Sequence, residues 1–144
     1  MARGFPLAGL LRLRHLEQDS ASGAVAAANA KIQANEERRA RVRAELGGYP
    51  LAPEDSSAMA AIAAARASTR SMLAELDAVH EMDLATLDTA TTALTIARAK
   101  AVGLEKLEEK HAAAQRAEDL RVEQSALDEL AGAAWHRSRG DDTP

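Results

Sequence analysis

The chain has no cysteine, three aromatic residues, four prolines and no apolar run approaching the width of a bilayer. Without cysteine there is neither a disulfide framework nor a thiolate metal site. Phe5, Tyr49 and Trp135 are too few to build a globular core, because a fully buried Leu or Phe contributes about 1.5–3 kcal/mol and a single methylene only about 0.8 kcal/mol. A spanning helix needs about 20 apolar residues, and none of that length occurs. The apolar stretch from Phe5 stops at Arg12 and Arg14 with no small-residue cleavage site behind it, which argues against a secretory signal. Catalytic signatures are missing too. There is no phosphate-binding glycine loop and no nucleophile elbow, and His15, His80, His111 and His136 never pair at i, i+4. No enzyme, no metal and no cofactor are therefore expected.

What the chain does contain is alanine, 35 residues of 144, within a hydrophobic fraction of 47%. Alanine seams let helices approach closely at modest gain, so the composition predicts long, thin helices that acquire rigidity from partners. Periodicity points the same way. Leu7, Leu11, Arg14, Gln18, Ala21, Val25, Ala28, Ile32, Asn35, Arg39, Val42 and Leu46 follow the alternating four-three step of a heptad seam. A second series runs Leu73, Leu76, His80, Leu84, Leu87, Thr91, Leu94, Ala97, Ala101, Leu104, Leu107, His111 and Ala114, with one four-four slip between Leu76 and Leu84.

Between the two series the chain breaks at Gly47, Gly48, Tyr49, Pro50 and Pro53, a helix stop followed by residues that cannot resume it. The spacing predicts an all-α fold, a long antiparallel two-helix coiled-coil hairpin in one domain over 1–137. Its helices are expected at 5–46 and 54–137, with the turn at 47–53 and a disordered tail at 138–144. Ser56 or Ser57 is the expected cap of the second helix. Ser68, Thr69, Arg70 and Ser71 form a polar joint at 68–71 that would set off a short helix after the turn. Glu37, Arg41 and Glu45, four apart, should pair on the surface of the first helix.

Net charge is −4, unevenly spread. Residues 1–46 hold eight basic side chains against five acidic, whereas 47–97 hold two against seven. Opposite fields favour docking the first helix on the second. They do not favour nucleic acid, for which an acidic chain with three aromatics lacks both charge and stacking surface.

Three stretches together resemble the FliJ family of flagellar type III export proteins. They are Phe5-x-Leu7-x-x-Leu10-Leu11-x-Leu13-Arg14, then Glu105-Lys106-Leu107-Glu108-Glu109-Lys110, then Glu123-Gln124-x-x-Leu127-Asp128-Glu129-Leu130-Ala131. Their order and separations match the family over roughly the whole chain. Two departures are the short Gly/Pro-rich turn and a middle rich in alanine and threonine. The resemblance implies an antiparallel coiled coil similar to the rotary-ATPase gamma subunit. In that role it would insert its paired termini into the ring of a FliI-like export ATPase, bind a FlhA-like export gate protein through its hairpin side and escort export chaperones. It also implies a cytoplasmic protein at the flagellar base, touching the inner membrane only through partners. A stalk of the related injectisome and a purely structural coiled coil remain the alternatives.

On that resemblance, Leu7, Leu10, Leu11, Arg12, Arg14, Leu127 and Leu130 are the expected ATPase contacts. Leu7 to Leu13 span more than one helical stripe, either as an external face or as packing for the returning helix. Val42, Leu46, Tyr49, Leu73, Leu76 and His80 are the expected gate contacts, against the reading that Tyr49 covers the end of the seam. Trp135 would staple the termini together or anchor a partner.

Overall fold

A computed structural model describes residues 4–140. Among these the chain is all-α, with α1 at Ala8–Gly47 and α2 at Ser56–Gly140. Pro6 sits in the opening turn, where its missing N–H costs nothing, and the Ala8 N–H donates to the Phe5 carbonyl at 3.1 Å before the helix proper begins. At the other end of α1 the Gly48 N–H is shared between the carbonyls of Ala44 and Glu45. No described residue, glycine or otherwise, has a positive φ. The helix is therefore stopped by Pro50 and Pro53, not by a left-handed glycine cap.

The cap of α2 is Asp55, where Ser56 or Ser57 was expected. Its Oδ1 accepts the Ala58 N–H at 2.7 Å, which satisfies one of the unpaired donors of the first turn and places a carboxylate at the positive end of the helix dipole. Asp55→Ala is expected to lower stability by about 1 kcal/mol, with Asp55→Asn recovering most of it, as a thermal melt followed by circular dichroism would show.

α2 has no joint at 68–71. The Thr69 hydroxyl donates to the Ala65 carbonyl at 2.9 Å, and Thr86, Thr89 and Thr95 do the same to the residue four before each. Back-bonding of this kind satisfies the hydroxyl inside the helix and lets threonine sit where its propensity alone is poor. The expected tail begins within α2, since Ser138–Gly140 are helical; positions 141–144 lie outside the described residues.

The chain divides into two compact units. One, His15–Arg98, is a helical hairpin. Its cross-links are 20 residues apart at Tyr49–Thr69 beside the turn and 38 apart at Arg39–Asp77, the widening that antiparallel pairing requires. Ala28, Val42, Leu76, Leu94 and Ala97 are buried, together with two polar residues, Asn35 and Thr69. On α1 each seam position from Gln18 to Leu46 is buried or half-buried. On α2 the buried and half-buried positions from Leu73 to Ala97 are Leu73, Leu76, Asp77, His80, Asp83, Leu87, Ala90, Leu94 and Ala97, and all but Asp77, which faces Arg39, keep the alternating three-four step. Asp83 and Ala90, not Leu84 and Thr91, continue the seam, so the expected slip does not occur. Among the described residues Glu37 and Arg41 make no ion pair; the bridge forms instead across the helices, from Arg39 to Asp77 at 2.6 Å.

The second unit joins the residues up to Arg14 with those from Ala99 onward. Leu11 and Ala101 are buried in it, Ala101 with 0% of its surface exposed. The Phe5 ring lies 5.7 Å from that of His111, tilted by 57°. From Arg116 to Gly140 every residue of α2 is exposed.

Candidate functional site

Around the turn, the residues expected to meet an export gate are mostly inside the hairpin. Val42 and Leu76 are buried, while Leu46, Leu73, Tyr49 and His80 are half-buried. These are the a and d positions of the seam, and a side chain facing the opposite helix has little surface left for a partner. Tyr49 closes the turn. Because the Thr69 proton goes to Ala65, the Tyr49 hydroxyl is the donor in its 2.9 Å bond to the Thr69 Oγ1, and Glu45 stands 3.3 Å from the same hydroxyl. This is the seam-covering role, with a polar anchor added.

Asn35 and His80 are polar residues within the seam. Asn35 Oδ1 and His80 Nδ1 are both buried without a hydrogen-bond partner. Each unsatisfied atom keeps its desolvation cost in this alignment, which weakens the hairpin locally.

What the turn offers outward is a groove of about 340 Å³, walled by Pro50, Leu51, Pro53, Met59 and Ile62 and flanked by Arg66 and Arg70. Leu51 is 92% exposed. Sequence reasoning took Pro50, Pro53 and Arg70 only as breakers of helix and started the second seam at Leu73, although Ile62 and Arg66 are half-buried in the same register. The available signal was charge, since Arg66 and Arg70 are the two basic residues of the acidic stretch 47–97.

In the unit that contains the chain ends, the expected ATPase contacts fall into two groups. Leu7, Leu10 and Arg12 are exposed, Leu11 is buried, and Arg14 is half-buried and engaged with neighbouring groups. Phe5, just before them, meets His111 on α2. Leu127 and Leu130 lie 16 and 19 residues further along α2, about 24–29 Å at 1.5 Å per residue, and are 60% and 65% exposed. Leu120 and Trp135 are exposed on the same stretch. No part of α1 covers it.

Among the described residues Trp135 makes no contact that ties α2 to the start of α1. Its ring is 54% exposed, stacks edge-on against His136 at 5.3 Å and carries the Arg139 guanidinium 4.4 Å from its centre. Both contacts lie on its own helix and leave the ring available to a partner. Earlier on this stretch Arg121 donates two hydrogen bonds to Glu118, at 2.7 and 3.0 Å. That bonding, with the attached charge, holds the Glu118 carboxyl below the ordinary glutamate range. A depressed carboxylate stabilises the helix above its unfolded pKa and ceases to do so as the pH falls through its lowered folded value.

No helix among the described residues is long and apolar enough to cross a membrane. A family model described as the flagellar FliJ protein matches residues 3–140. No curated protein and no solved structure matches the chain.

Proposed function

We propose, from the premise that this chain belongs to the flagellar FliJ protein family, that it is a stalk which engages the export ATPase through the unit holding its chain ends and the export gate through its turn. Family membership makes it a component of the flagellar export apparatus. The observation that carries the finer reading is the uncovered helix from Arg116 to Gly140, with Leu120, Leu127, Leu130 and Trp135 exposed on it. A helix that presents large apolar residues to solvent over so long a stretch is suited to burial in a partner. Arg12, exposed at the start of α1, adds a charge that meets acidic groups of an ATPase ring. Export chaperones would use the remaining exposed helix faces. The flagellar family match favours this reading over an injectisome stalk.

The test is a titration of the purified protein into the cognate export ATPase. Turnover and ring assembly are expected to rise with added protein, and Arg12→Glu to weaken the effect at low salt more than it changes the melting temperature, since an exposed charge typically contributes under about 1 kcal/mol to folding. An ATPase indifferent to the protein at every concentration rules out the stalk role.

A further inference from the structure

The first turns of α2 carry Met59, Ile62, Arg66 and Arg70 at spacings of three and four, and Pro50, Leu51 and Pro53 complete the groove described above. Three observations distinguish it from an ordinary hairpin end. Residues 47–97 hold seven acidic side chains and two basic ones, and both basic ones flank this groove. They also stand one helical turn apart, where like charges disfavour the helix, and neither has a carboxylate partner. Arg70 makes no hydrogen bond or ion pair among the described residues, and Arg66 reaches the carbonyls of Tyr49 and Pro50 only at 3.5 Å, which leaves most of its five N–H donors unused. Finally, Leu51 and Met59 leave apolar walls open to water.

We infer that this groove binds an extended acidic–apolar peptide segment of a partner protein, its carboxylates on Arg66 and Arg70 and an apolar side chain between Leu51 and Met59. The guanidinium fork matches a carboxylate in two-point geometry, and the groove lies in the size range of sites that take a few side chains. An anionic lipid surface fits less well. A flat sheet of negative charge would also meet Glu54 and Asp55, both exposed beside the groove, whereas a peptide places its carboxylates at the cations alone. The inference rests on the reading that the turn serves a partner of its own, and it names the chemistry of that partner.

The probe is a fluorescein-labelled peptide of alternating aspartate and leucine, titrated with the full-length protein and followed by anisotropy at low and physiological salt. Saturable binding is expected, weakened by salt and reduced about tenfold or more by Arg70→Glu or by Leu51→Ser, with helicity unchanged by circular dichroism because both residues are exposed. No saturable binding overturns the inference, as does equal binding by Arg70→Glu, equal binding of a lysine–leucine peptide, or phosphatidylglycerol vesicles captured in place of the peptide. A pull-down of the export gate separates the two readings. Peptide binding lost in Arg70→Glu while gate binding persists supports the groove and removes the gate from the turn.

Discussion

Replacing Leu127 and Leu130 together by aspartate is expected to abolish stimulation of the export ATPase while leaving the melting temperature of the free protein nearly unchanged. Both side chains lie where α2 has no opposing helix and most of their surface is in water. Surface substitutions away from special features alter folding by about 0.5 kcal/mol or less. In a complex the balance reverses. Two apolar anchors at the centre of a helix-in-groove contact are worth about 2 kcal/mol each, and together about 4 kcal/mol, roughly a thousandfold in affinity. Titration of ATPase turnover with each form of the protein measures this directly. Stimulation retained by the double variant would move the ATPase contact off the uncovered helix and back to Leu7, Leu10 and Arg12.

That the two leucines are exposed was not evident from spacing alone. The seam of α1 was legible because Leu11, Val25, Ala28, Val42 and Leu46 keep one register through the polar positions Arg14, Gln18, Asn35 and Arg39, and all of them turn inward. The seam of α2 was legible only where apolar residues happen to mark it. Asp83 and Ala90 sit in it while Leu84 is exposed, because helical continuity sets which positions face inward, and hydropathy merely correlates with that. Beyond Gln115 the leucine spacing persists but no part of α1 lies against it, so a pattern that reads as core has no partner among the described residues. The gate contacts failed to separate for the converse reason. Val42 and Leu76 were read both as seam and as site, and burial leaves them the first role.

Ala101→Leu is expected to be the most damaging of the conservative core changes. Ala101 has no exposed surface, so three added carbons have nowhere to go and the backbones must separate. Overpacking of this kind costs about 1–3 kcal/mol, and 2 kcal/mol lowers the melting temperature by roughly 4–8 °C in a chain of this size. Ala101→Gly, which adds nothing to the seam, should cost about 1 kcal/mol through the helix alone. In an ordinary leucine core truncation is the worse injury; here enlargement is. Thermal melts of the two variants decide between them, and a melting temperature for Ala101→Leu at or above that of Ala101→Gly would mean that the seam yields easily at this position.

The stretch from Arg116 to Gly140 is held by its own backbone hydrogen bonds and a few side-chain pairs on one helix. An isolated helix of about 25 residues lies near the length at which helix and coil interconvert freely in water, so its amides exchange with solvent far sooner than those of the hairpin. Whatever binds it must also supply the entropy of keeping it helical. Affinity then depends on residues that touch no partner. Gly132, with open space around it, holds the free segment closer to coil than alanine would, so the strength of docking can drift through helix propensity alone while the contact surface stays the same.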